Sequence, residues 1–416
     1  MQTSTFVDNM KLPVHRWFRY TAGFSAEWAE QTIRSEVDNL GNVAKSAQVL
    51  DPFAGSGTTL LAADNAGVMS FGYESQSLIS RIAKTKLEWD VDIVDFNNLI
   101  HEVLSIADTD DSEPHDYPQL VYKCYDETNL AELDHLRKAL ESVHDDSKAW
   151  HMAWLAFVCI IRPTSHAGTA IGQYVLPSRG KARVASVKDA YLNQAQEMFS
   201  DLMEMQSRST TPKAKLIKHD ARNIYPALHN SIDLVVTSPP YANNYDYADA
   251  TRLEMSILGE ITGWSDLQEL VRPGLIRSCT QMVSKERKET YKFVDDPVLA
   301  AIHDELAAAC REMELERENH GGKKNYHTMA ALYFYDMAHV FISLRDACKA
   351  GSKMCFVIGD SAPYGIYMPV DEWLARLALA AGFESWEFEK LRDRNVKWKN
   401  RKHRVPLKEG HLWIKG

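Results

Sequence analysis

The sequence predicts a doubly wound α/β fold, a mostly parallel sheet with helices on both faces, carrying largely helical insertions. Three observations lead there. Ala47-Gln48-Val49-Leu50 is a short apolar run, followed by the glycine-rich Asp51-Pro52-Phe53-Ala54-Gly55-Ser56-Gly57-Thr58-Thr59 and the helix-like Leu60-Leu61-Ala62-Ala63. That is strand, tight turn and helix, the opening of such folds. Met69 to Tyr73 then reads as a second strand ending at Glu74, about twenty residues past the loop. Far downstream, Ile232-Asp233-Leu234-Val235-Val236 is strand-like and runs into Thr237-Ser238-Pro239-Pro240-Tyr241.

The remaining elements follow in chain order. Ser25 reads as the N-cap of a first helix, with Glu27 favourable in its first turn. Gly55 and Gly57 permit positive φ and close ligand approach, and Thr58-Thr59 are placed to cap the helix over 58–66. Residues 90–213 read as a helical insertion, with runs opening at Val94, over Leu130 to Val143, and over Ala149 to Ile161, the last stopped by Arg162-Pro163-Thr164. Pro177 to Arg183 is loop-like and basic, and Asp189 to Met205 is a helix whose methionines read as core. Leu216 to Asp220 is a short strand. Residues 255–330 alternate helical runs with polar loops. Tyr333 to Ala350 reads as a helix, Lys353 to Asp360 as a strand, Val370 to Ala381 as a helix stopped by Gly382, and His411 to Lys415 as the closing edge strand.

Each chemical signal has a structural alternative when taken alone. The exocyclic amine of a nucleobase is a poor nucleophile because its lone pair is delocalised, and acceptors beside it can draw the nitrogen toward a tetrahedral form. Ser238 Oγ and a proline carbonyl suit that task, since two successive prolines fix φ and remove two N–H donors, and Tyr241 offers a stacking face. A proline turn at a strand end is the plainer reading. The glycine loop lacks the lysine of a triphosphate-binding loop and the full dinucleotide fingerprint, so alone it also reads as tight strand-to-helix packing. Glu74 fits a ribose-binding carboxylate or a residue beside a helix start at Ser75-Gln76-Ser77. Asp220, with Ala221 after it, fits an adenine contact or a turn.

Taken together, Asp51 to Thr59 and Thr237 to Tyr241 resemble the S-adenosylmethionine-dependent DNA amino-methyltransferases. The resemblance implies a seven-stranded, Rossmann-like class I methyltransferase core over 1–89, 214–254 and 331–416; the segments between depart from the compact family pattern, 90–213 reading as a helical insertion and 255–330 as the candidate target-recognition insertion. It implies S-adenosyl-L-methionine as cofactor, held by Asp51, Pro52, Phe53, Ala54, Gly55, Ser56, Gly57, Thr58 and Thr59, by Glu74 at the ribose, and by Asp220 and Ala221 near the adenine. The segment His15 to Tyr20 with Phe24 to Glu27 resembles the one that closes over the methionine end in permuted members, which adds Tyr20. Ser238, Pro239, Pro240 and Tyr241 would hold the target amine. Serine in the first position resembles the N4-cytosine members, where aspartate is usual in N6-adenine enzymes. Double-stranded DNA is the implied substrate, with a cognate restriction endonuclease as a functional companion. An RNA amino-methyltransferase and a catalytically silent DNA-binding module of the same fold are the alternatives.

At 416 residues with 45% hydrophobic content, the chain suffices for one large catalytic core with elaborations. Cys124, Cys159, Cys279, Cys310, Cys348 and Cys355 are scattered without a Cys-x-x-Cys pair, so reduced thiols and no metal site are expected. His151 and His166 read as structural. The absence of a secretory pattern or a long apolar run predicts a cytoplasmic protein. A net charge of −10 argues against general DNA affinity, yet Lys390 to Lys408 is strongly basic. Lys397, Lys399, Arg401, Lys402 and Arg404 are therefore candidate phosphate contacts, and Tyr245, Tyr247 and Arg252 candidate contacts near the base.

Overall fold

The computed structural model describes residues 6–20, 23–168, 181, 183–208, 210–394 and 405–416. Seven strands form one sheet: β1 (Gln48–Asp51), β2 (Met69–Tyr73), β3 (Lys215–Ile217), β4 (Ile232–Thr237), β5 (Cys348–Gly359), β6 (Ser385–Arg394) and β7 (Leu407–Lys415). Their order is β3-β2-β1-β4-β5-β7-β6. The first five are parallel, and β7 runs antiparallel between β5 and β6. The doubly wound, mostly parallel seven-stranded sheet expected from the sequence is present. The closing strand differs: β7 is interior, and the edge is β6, whose charged, exposed run (Glu387, Glu389, Lys390, Arg392, Asp393) blunts further pairing. The apolar run of β7 reads as the last strand of the sheet because its partner β6 is too polar to announce a strand.

The helices used below are α1 (Ala26–Asp38), α2 (Thr58–Ala66), α3 (Ser77–Lys86), α4 (Ile93–Ala107), α5 (Glu127–Ser142), α6 (Lys148–Ile160), α7 (Val187–Gln206), α8 (Arg252–Ile257), α9 (His303–Asn319), α10 (Tyr326–Ala347) and α11 (Val370–Ala380). Period-two alternation divides the central strands between two cores. Val49, Leu234, Val236 and Val357 face α1 and α2. Leu50, Val235, Phe356 and Ile358 face α10 and α11. Buried on both faces, β4 reads as a continuous apolar run, as a central parallel strand must. Helix α10 is apolar on nearly every side because it lies between the sheet and the segment 276–313. Helices α4 to α7 pack into a third layer together with α3.

Local signals explain most element ends. Ser25 caps α1, accepting the Trp28 N–H at 3.3 Å. Gly67 closes α2 in the left-handed conformation, φ 73°. Thr58 and Thr59 do not cap α2: its N-cap position is Gly57, without a side-chain bond, and the Thr59 hydroxyl turns inward instead. His151 bridges Glu88 and Asp146, and His166 bonds the Lys181 carbonyl and Asp126. The cysteines are free. Among the described residues no helix is long and apolar enough to cross a membrane, and no group of His, Cys, Asp or Glu is arranged to hold a metal. Residues 177–180 and 182 of the basic loop, and Lys397, Lys399, Arg401, Lys402 and Arg404, lie outside the described residues.

Candidate active site at the switch point of the sheet

The chain reverses its winding direction between β1 and β4, so the loops after these two strands part to opposite faces and leave a crevice. A cleft of about 800 Å³, partly open to solvent, occupies that crevice. Pro52, Phe53, Ala54, Gly55, Ser56 and Thr58 form one side, Ser238 and Pro240 another, and Glu74, Asp220 and Ala221 the far end. Two sequence segments almost two hundred residues apart thus share one cavity. Tyr20 and Tyr247 also line it.

Gly55 and Gly57 take positive φ, 50° and 89°. A side chain at Gly55 would stand 3.1 Å from the Tyr20 ring, so the bare backbone lets the N-terminal segment close on the loop. That segment is anchored from behind by Asp201 of α7. This carboxylate is 1% exposed and accepts from Val14 N at 3.0 Å, Arg16 Nε at 3.1 Å and Trp17 Nε1 at 2.8 Å. The helical insertion therefore supports one wall of the cleft.

Asp51, Gly57, Thr59, Pro239 and Tyr241 are not in the cleft lining. Asp51 lies beneath it, buried, accepting from the Thr59 hydroxyl at 2.5 Å, the Thr237 hydroxyl at 2.6 Å and Phe53 N at 2.9 Å. Burial outweighs these bonds and raises its carboxyl to about 6. Glu74 is half-buried at the C-terminal end of β2 and accepts the Gln76 N–H at 2.7 Å. Burial raises its carboxyl to about 7, with backbone bonds from Gln76 and Gly55 opposing. A carboxylate in that condition has unused acceptor capacity facing the cleft.

Ser238 donates to the Val357 carbonyl of β5 at 3.3 Å. Its proton is directed there, the Tyr241 hydroxyl also bonds this side chain, and the remaining oxygen lone pair can accept. Tyr241 is pushed to a higher pKa by burial and lies near the Arg394 guanidinium, 5.2 Å from its ring centre. Tyr245 and Tyr247 meet edge to face, ring centres 4.6 Å apart, but only Tyr247 lines the cleft. Tyr245 lines a neighbouring cavity with Tyr20, Arg162 and Glu254. Arg252 is directed to Asp249 at 3.0 Å and over the Trp264 ring.

The N-terminal part of the chain, residues 3–85, matches the family model described as DNA methylase. Over that stretch the chain is similar to the DNA methylases. It is 25% identical to the Type II methyltransferase M.BsoBI of Geobacillus stearothermophilus, over 93% of this chain and 82% of that protein. It is also 25% identical to the Type II methyltransferases M.AvaI of Nostoc sp. and of Anabaena variabilis, over 91% of this chain and 81% of those proteins.

Three features of the cleft and its surroundings were not singled out in the sequence. Lys86 of α3, 1% exposed, donates to the Ser56 carbonyl at 2.9 Å and so holds the glycine loop from below. Burial lowers its ammonium to about 7. His219 packs edge-on against Tyr73, ring centres 4.8 Å apart, and both line the cleft. Gly274, Leu275 and Ile276 also line the cleft. Lys86 and Lys84 are indistinguishable by type and spacing, and nothing local in Gly274 to Ile276 points toward a site formed by residues two hundred positions earlier.

Proposed function

We propose that the chain is a DNA methyltransferase that transfers a methyl group from S-adenosyl-L-methionine to the exocyclic N4 amine of cytosine in double-stranded DNA. The observation that carries this reading is the shared cleft, lined by Gly55 and Glu74 from the first part of the chain and by Ser238 with Pro240 from the segment after β4. The cleft suits that cofactor: a glycine turn at positive φ against the Tyr20 ring, a carboxylate available to ribose hydroxyls, and apolar lining from Phe53, Ala221 and Ile276 for a purine ring. When bound, the cofactor supplies an electrophilic methyl on a sulfonium.

The chain's own residues do the rest. Ser238 Oγ and a backbone carbonyl of the Pro239-Pro240 pair accept the two amine hydrogens of an extruded base, which localises the nitrogen lone pair toward the cofactor side. Val357 keeps Ser238 in the accepting orientation. Tyr247, in the cleft lining, provides the stacking face, with Tyr241 behind Ser238, and the N-terminal segment at Tyr20 excludes water from the cofactor end. Rate acceleration comes from orientation and from bonds that strengthen as the nitrogen becomes tetrahedral. The serine at position 238 favours cytosine N4 over adenine N6. A second cleft holds Lys323, Lys324 and Arg394 together with Glu316 and Asp360, and its Arg394 lies over the Tyr241 ring.

The test is nucleoside analysis. Duplex DNA of mixed sequence, incubated with the protein and isotopically labelled S-adenosylmethionine, is digested and its nucleosides are resolved by mass spectrometry. Labelled N4-methylcytosine is expected. Label in N6-methyladenine instead would move the target base, and label only in a parallel RNA sample would overturn the DNA assignment.

A further inference from the structure

The segment Pro273 to Ile276 belongs to an insertion whose sequence suggested target recognition, yet three of its residues line the cofactor cleft. What holds them there is a buried ionic junction. Arg222, two residues after Asp220, grips both Asp220 oxygens, with Nε at 2.9 and 3.1 Å and Nη2 at 2.6 Å. The same Nη2 donates to the Pro273 carbonyl at 2.7 Å, and Nη1 reaches Asp336 at 3.3 Å. Asp336, on α10 and 1% exposed, also accepts Arg277 N and Nε at 3.0 Å each and Arg277 Nη2. One buried carboxylate therefore binds two guanidiniums that bracket Gly274, Leu275 and Ile276.

The bracketed wall has little room to move inward. A side chain on Gly274 would stand 3.2 Å from Ser75 Cβ, the residue after Glu74. The position of this wall sets the width of the cleft at its Asp220 end. Side-on guanidinium–carboxylate pairs are directional as well as strong, so the junction fixes orientation and not merely proximity. The catalytic side of the cleft is held separately, through Ser238 and Val357.

We propose that Asp336 is a positioning residue of the cofactor cleft: through Arg222 and Arg277 it holds residues 273–276 in place as the part of the cleft wall beside Ser75 and orients Asp220 at the same time. The proposal rests on reading the cleft as the site of S-adenosylmethionine. Two predictions separate it from a purely structural role. Loosening the junction weakens cofactor binding but leaves the rate at saturating cofactor in place, because Ser238 is anchored elsewhere. A conservative replacement that keeps a cation at position 277 rescues much of the loss.

The experiment measures S-adenosylmethionine affinity by calorimetry and single-turnover methyl transfer at saturating cofactor for the parent, Asp336→Asn, Arg277→Gln and Arg277→Lys. Removing one partner of a buried pair leaves uncompensated charge, so Asp336→Asn risks unfolding. Arg277→Gln, partly exposed at the junction's rim, is the variant that decides. It is expected to bind about tenfold more weakly with its saturated rate within about twofold of the parent, and Arg277→Lys to recover to within about threefold of parental affinity. A folded Arg277→Gln protein with parental affinity, or a loss confined to the saturated rate, would overturn the proposal. A parent that does not bind S-adenosylmethionine at all would overturn the cofactor reading instead.

Discussion

The Thr237 hydroxyl donates to the Asp51 carboxylate at 2.6 Å, joining the last residue of β4 to the last residue of β1 across 186 positions of sequence. The same carboxylate takes the Thr59 hydroxyl from the first turn of α2. Asp51 is thus the pin on which the glycine loop and the Ser238 loop are registered. Thr237→Val keeps the volume and removes the donor, leaving a buried acceptor short of one bond. A loss of about 1–3 kcal/mol is expected, read as a lowered melting temperature by calorimetry. An unchanged melting temperature would remove Asp51 from that role.

Ser238→Ala deletes an acceptor that matters most when the amine is tetrahedral. Turnover is expected to fall on the order of a hundredfold, with cofactor affinity within about twofold of the parent. Parallel losses in turnover and cofactor affinity would show that Ser238 shapes the cofactor site instead.

Glu74 gives cofactor binding a pH dependence whose sign follows from its environment. Its carboxyl is raised from an ordinary value near 4.5 to about 7. Between those values the folded protein holds a proton that the unfolded chain releases, so this group's contribution to stability falls as pH rises through that window. Ribose hydroxyls donate to the ionised form, so binding below about pH 7 expels the proton, and affinity should fall up to about tenfold per pH unit toward pH 5. Calorimetry near pH 6, in two buffers of different ionisation enthalpy, reads the proton directly. Glu74→Gln should abolish the release, which also separates it from Asp51; release persisting in that variant contradicts the assignment.

Lys86 carries a buried ammonium held by one carbonyl and lowered to about 7. The unfolded chain binds that proton more readily between about 7 and 10.5, so this group's contribution to stability rises with pH across that window and is lost as pH falls through it. Lys86→Met removes the desolvation cost while freeing the Ser56 carbonyl. The variant is expected to melt no lower than the parent near pH 7 yet to bind S-adenosylmethionine several-fold more weakly, on the order of 1 kcal/mol. A variant that melts lower but binds as tightly would show that Lys86 serves the fold alone.

The sheet was legible because its central strands are continuous apolar runs and its two functional loops carry glycine and proline, whose backbone constraints are local. Position within the sheet was less legible. β6 is a charged strand that pairs only because β7 offers it a buried partner, and from sequence alone β7 looked like the edge. The glycine loop, Glu74 and Ser238 were visible as sequence patterns. Lys86, Asp336 and the Gly274 to Ile276 wall were not, since each depends on a long-range approach that no spacing encodes. Thr59 was misread as a cap because hydroxyls serve helix ends and buried carboxylates equally well.

The most direct measurement is a crystal structure of the protein with bound S-adenosylmethionine. The account predicts ribose hydroxyls on Glu74, the purine between Phe53 and Ile276, and the sulfur-bound methyl pointing to the gap between Ser238 Oγ and a backbone carbonyl of the Pro239-Pro240 pair. A cofactor seated outside this cleft, or one whose methyl faces away from Ser238, would contradict it.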